Sequence, residues 1–131
     1  MFAFLHTTYQ HTFASGSLEV LELWGNNIGD EGAKALAGAI GASGSLATLD
    51  IGYNNIGDAG AKELAGAIGA SGSLATLFLG NNKIGDAGAT AIADAIGASG
   101  SLTLKTLRVG SLNGHAELVA ACKSKGVELK Y

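Results

Sequence analysis

Cysteine occurs once in the 131 residues, as Cys122. A lone thiol forms no internal disulfide, so the expected fold does not rest on oxidation and the expected setting is reducing and cytoplasmic. No Asn-x-Ser/Thr acceptor for glycosylation occurs. The short apolar stretch MFAFL has no basic flank and runs straight into His6, so it reads as neither a signal peptide nor a membrane span. Charge is also scarce, at 15% of residues. The formal net charge of −3 divides unevenly: residues 1–104 hold three Lys against nine Asp or Glu, and Lys105 to Tyr131 hold five Lys or Arg against two Glu. A chain acidic over most of its length is a poor match for nucleic acid.

The residue types that do chemistry are present but not assembled. His6, His11 and His115 show no metal-ligand spacing, and Cys122 falls in a helical pattern where a small buried hydrophobe is the simpler reading than a nucleophile. Ser, His and acidic residues form no recognisable constellation. The glycine-rich GNNIGDEGAK invites a phosphate-loop reading because amides at a helix start can hold anions. It lacks G-x-x-x-x-G-K-[ST], however, and every copy sets an Asp where the phosphate would sit. Asp30, Asp58 and Asp86 read as helix caps rather than as one cation site. We expect no enzyme, no cofactor and no metal.

What the chain does have is a period. Gly16, Gly44, Gly72 and Gly100 stand 28 residues apart three times running. On that frame Leu18, Leu46 and Leu74 align, followed by Leu21, Leu49 and Leu77, then Leu23, Ile51 and Leu79, then Asn26, Asn54 and Asn82, then Ile28, Ile56 and Ile84. Leu21 and Leu23 alternate with Glu22 and Trp24, the period of a strand burying one face. After each Asp, apolar residues recur at helical spacing, as in Ala33, Leu36, Ala37 and Ile40, with Gly41 and Gly44 as the expected stop. Gly32 and Gly38, inside that helix, each cost about 0.8–1 kcal/mol relative to Ala. The Asn column suits a turn whose inward backbone groups need an amide that both donates and accepts.

The pattern L-x-x-L-x-L-x-x-N-x-I resembles the leucine-rich repeat family, and the period with IGDEGAKALAGAI is similar to its ribonuclease-inhibitor-like subclass. That resemblance implies an α/β solenoid, a horseshoe segment with short parallel β-strands on the concave face and helices on the convex face. We expect a single domain over residues 1–131: an atypical segment 1–15, three repeats in 16–103, and a divergent repeat with a C-terminal cap in 104–131. In that last part Leu104, Leu107 and Val109 recover the pattern after a two-residue slip, Leu112 replaces the Asn, and a final helix leads to a strand with Val127 and Leu129 inward.

A solenoid of this kind offers one changeable surface, the exposed strand face. Its columns read Val20, Thr48, Thr76, Thr106, then Glu22, Asp50, Phe78, Arg108, then Trp24, Gly52, Gly80, Gly110, then Gly25, Tyr53, Asn81, Ser111. Residues 29–56 and 57–84 differ at six positions, of which only Ile51/Leu79 belongs to the core. The resemblance implies a recognition module, so the expected function is binding a partner protein, with Trp24, Tyr53 and Phe78 as anchors and Glu22, Asp50 and Arg108 as orienting charges. Against this stands the simpler reading that the aromatic rings pack on one another across strands. Residues 1–15, which hold Phe2, Phe4, Tyr9 and Phe13, read first as an apolar cap on the first repeat, with a surface that pairs with another copy or a remnant of a longer array as the alternatives. Two other functional readings stay open: a self-assembling structural piece, in which that aromatic segment and the acidic-to-basic polarity of the chain drive homo-oligomerisation, and a consensus-like engineered scaffold without a natural ligand. No membrane partner is expected.

Overall fold

The computed structural model describes residues 18–110 and 115–131 in full, together with the backbone of Tyr9–Thr12. Strand β1 (Tyr9–Thr12) is followed by β2 (Leu18–Glu22), α1 (Gly29–Ala42), β3 (Thr48–Asp50), α2 (Asp58–Ala70), β4 (Thr76–Phe78), α3 (Asp86–Ala98), β5 (Thr106–Arg108), α4 (Ala116–Lys125) and β6 (Glu128–Lys130). The strands form one sheet in sequence order. Strands β2 to β6 are parallel, while β1 pairs antiparallel with β2. A parallel pair needs a crossover between its members, and here each is a helix that packs on the next helix along the array. The α/β leucine-rich repeat solenoid is therefore the architecture observed.

The core lies between sheet and helices and is supplied by the aligned columns. Leu49, Leu77 and Leu107 are at most 1% exposed, and Ile92, Ile96 and Leu64 meet them from the helices at 0%. The two-residue slip is accommodated without loss of register: Leu77 pairs with Leu107, and Leu104 and Val109 are buried. Val127 is buried and Leu129 half-buried, so the closing strand continues the same face.

The Asn column forms a ladder between repeats. Asn54 Oδ1 accepts from Asn26 N at 2.7 Å and from Ile28 N at 3.3 Å, while its Nδ2 donates to Leu23 O and Gly52 O, each at 3.0 Å. Asn82 Oδ1 repeats this with Asn54 N at 2.9 Å and Ile56 N at 3.0 Å. A second ladder of hydroxyls runs at the other end of the strands: Ser45 donates to Leu18 O, Ser73 to Leu46 O, and Thr103 to Leu74 O, at 2.7–2.8 Å.

Three sequence expectations need correction. The Asp column does cap helices, but those of the next repeat. Asp30 Oδ1 accepts from Gly57 N at 2.7 Å and Gly60 N at 3.0 Å at the start of α2, and Asp58 does the same for Gly85 and Gly88 at the start of α3. Each Asp is already the first or second residue of its own helix, so its side chain reaches sideways to the neighbour's free amides instead. Nor do Gly41 and Gly44 stop α1. Gly41 is inside the helix, and the chain leaves it at Ser43, in extended conformation, whose hydroxyl accepts from Leu46 N at 2.9 Å. Finally, Trp24 lies in the turn after β2 rather than in the strand. The expectations for Phe2, Phe4, Phe13 and the side chain of Tyr9 as a cap or an oligomer contact, and for Leu112 in the Asn column, lie outside what is described.

Candidate functional site

Strand pairing turns residues far apart in sequence into one row. Glu22 stands beside Asp50, Asp50 beside Phe78, Phe78 beside Arg108, and Arg108 beside Lys130. Their neighbours Leu21, Leu49, Leu77 and Leu107 point into the core, so this row faces outward from the sheet. Just beyond the strands, Gly52, Gly80 and Gly110 present little but backbone. A groove of about 440 Å³ opens over them, lined by Trp24, Asp50, Tyr53, Phe78, Arg108 and Tyr131 together with these glycines and Asn81.

Five of the six residues expected at the site from the sequence therefore share one concavity, and the sixth, Glu22, sits on the same row outside its lining. Trp24 is 41% and Tyr53 61% exposed, so both residues keep a substantial part of their surface in solvent. Phe78 is half-buried, with the Arg108 guanidinium carbon 5.5 Å from its ring centre. A cation over a ring face is worth about 0.5–1 kcal/mol at such a site and holds the guanidinium against the sheet. Asp50 is oriented too, since its Oδ1 accepts from Gly52 N at 3.0 Å.

Tyr53 has a backbone that its side chain does not favour. Its φ is +57°, and the equivalent residues, Gly25 at +73° and Asn81 at +59°, are of types that tolerate the left-handed region. For a bulky L-residue that conformation costs about 1–2 kcal/mol. The turn enforces it, because Tyr53 N must reach Gly80 O at 3.0 Å, as Gly25 N reaches Gly52 O.

Tyr131 and Lys130 were absent from the expected site. The 28-residue frame does not reach them, because β6 lies only 22 residues after its partner in β5. Continuing the outward alternation of Arg108 onto the closing strand was the available signal. Elsewhere, burial pushes the Cys122 thiol above its ordinary pKa, as befits a core residue. Among the described residues no group of three or more His, Cys, Asp or Glu converges as metal ligands, and none of their helices is long and apolar enough to cross a membrane.

Comparison with known proteins agrees with this geometry. The family described as Leucine Rich repeat matches residues 15–37, 45–65 and 73–93. Among solved structures, the chain is similar to leiomodin-1 actin-binding site 2, with a TM-score of 0.66 and 22% identity over 84% of this chain and 69% of that one. At that identity the likeness concerns the fold. No curated protein matches the sequence significantly. With three tandem copies of the motif stacked through Asn ladders in a solenoid of this architecture, the chain belongs to the leucine-rich repeat family.

Proposed function

We propose that this solenoid is a recognition module that binds a partner protein in the concave groove. Trp24, Tyr53 and Phe78 are its anchors, and Glu22, Asp50 and Arg108 orient the partner. The observation that carries this reading is Tyr53, a ring 61% exposed at a position where the backbone favours Gly or Asn. Exposure returns little burial energy to the free protein, and strained residues concentrate where a surface is shaped for a ligand. Tyr and Trp are also the types most enriched at energetic centres of interfaces. The fold is compatible with such a role, since leiomodin-1 presents an actin-binding site on one of similar shape.

The 28-residue period, with a full helix in each crossover, supports the ribonuclease-inhibitor-like subclass. A single buried thiol supports a reducing, cytoplasmic setting.

The test is affinity capture from an extract, with the chain compared to a combined Trp24→Ala, Phe78→Ala, Arg108→Ala variant, and with actin included as one defined bait. A protein retained by the wild type and lost by the variant supports the reading. Equal retention by both removes it.

A further inference from the structure

The outward row reads Glu22, Asp50, Phe78, Arg108, Lys130: two acids, an aromatic ring, two bases. Sequence spacing does not impose this order. It arises because pairing brings together residues that differ from copy to copy while the core beneath them stays constant. Neither sign is cancelled locally. Among the described residues the one ion pair is Lys130 to Glu128 at 3.8 Å, between side chains 46% and 65% exposed, and a pair of that kind is worth little. Asp50 and Arg108 are kept apart by Phe78, two strand intervals or about 10 Å from each other.

The aromatic residues divide along the same line. By register Trp24 and Tyr53 belong to the acidic end of the groove and Tyr131 to the basic end. Asp50 shares this end of the groove with the aromatic residues Trp24 and Tyr53, a combination of carboxylate and rings that suits an ammonium or guanidinium. A guanidinium already stacked on Phe78 suits a carboxylate, which its planar fork grips in two places.

Resting on the reading above, we propose that the groove takes one partner segment laid across the strands, with a basic side chain on Asp50, at the end of the groove that Trp24 and Tyr53 also line, and an acidic side chain on Arg108. The spacing admits simple backbones. In a polyproline II segment, residues i and i+3 share a face about 9 Å apart. In a helix, i and i+7 lie about 10.5 Å apart. The antisymmetric row also matches a second copy turned end for end, but two concave sheets meet at their rims and leave the groove floor empty. A narrow segment reaches it. A polyanion is disfavoured because half of the row would repel it.

The experiment uses the full chain and four labelled proline-rich peptides of equal length, carrying Arg-x-x-Glu, Arg-x-x-Arg, Glu-x-x-Glu or Gln-x-x-Gln, titrated at low salt by fluorescence polarisation. The expected result is that Arg-x-x-Glu binds about tenfold more tightly than the other three, a difference of about 1.4 kcal/mol. In Arg108→Glu/Lys130→Glu, two exposed positions, the preference moves to Arg-x-x-Arg by a similar factor. Equal binding of all four peptides, or no measurable binding, overturns the inference. So does a preference for Arg-x-x-Glu that persists in the variant. If all four bind alike and Trp24→Ala weakens each, the concave site stands and only its charge polarity is refuted. If they bind and Trp24→Ala changes nothing, the concave reading falls as well. A concentration-dependent dimer in sedimentation that the same double variant dissociates replaces the segment with a second copy.

Discussion

Gly60 and Gly66 lie six residues apart in α2, and changing each to Ala has opposite consequences. A Cβ on Gly60 would stand 2.7 Å from Asp30 Oδ1, 2.8 Å from Ile56 Cγ2 and 3.0 Å from Ala33 Cβ. None of these gives way easily. Asp30 is fixed by its bonds to Gly57 N and Gly60 N, and the Ala33 methyl moves only with α1. Overpacking of this sort costs about 1–3 kcal/mol. Losing the charge-assisted bonds costs about 1.5–3 kcal/mol. The gain in helix propensity returns only about 0.8–1 kcal/mol. Gly60→Ala is therefore expected to destabilise by roughly 1.5–5 kcal/mol. Around Gly66 a Cβ meets nothing within 4 Å, and the site is exposed, so Gly66→Ala keeps the whole propensity gain and stabilises by about 0.8–1 kcal/mol. Urea denaturation followed by circular dichroism reads both. Two shifts of the same sign would refute the view that the close approach of Asp30 and Ala33, rather than backbone preference, keeps glycine in that column.

Other expectations follow from the same geometry. Asn54→Ala removes two acceptor and two donor contacts from a residue 0% exposed, and should cost about 3–5 kcal/mol in the same denaturation assay, more than an exposed-site change such as Glu63→Ala. Cys122, 1% exposed, should react slowly with iodoacetamide in the native protein and rapidly in urea. Because burial raises the folded thiol's pKa, the unfolded chain ionises first. That part of stability is complete below the ordinary thiol pKa and falls as pH rises through it, a fall that Cys122→Ala should abolish.

How far the fold was legible depends on the kind of contact. Positions such as Leu49, Leu77 and Leu107 could be placed from spacing alone, because period-2 and period-28 patterns record burial directly. The slip before Leu104 was visible for the same reason. Contacts between repeats were harder to read. Asp30 sits where any helix start would place an Asp, and nothing in its local sequence tells its own amides from those of α2. Gly32 and Gly38 looked like equal penalties. The structure separates their columns: Gly60 and Gly88 are pressed against the preceding repeat's Asp and Ala, while Gly38 and Gly66 have open space, and the third copy carries Asp94 there.

The site was legible as columns but not as a groove. Alternation placed Glu22, Asp50, Phe78 and Arg108 outward, and the pairing registers agree. The left-handed backbone of Tyr53 could not be read from one position. It emerges only from seeing Gly25 and Asn81 as the same turn residue in neighbouring copies. Lys130 and Tyr131 were missed because the closing strand returns on a shorter spacing than the repeats.

The most direct test of the central claim is a paired measurement on Tyr53→Gly: unfolding free energy, and affinity for the protein that the wild type captures. If the ring is kept in a strained turn for recognition, stability rises by about 0.5–1 kcal/mol, the relief of the left-handed backbone less the added freedom of glycine in the unfolded chain. Affinity then falls at least tenfold, by about 1.4 kcal/mol or more. Unchanged affinity, or a loss of stability, would contradict the account and return Tyr53 to the framework of the fold.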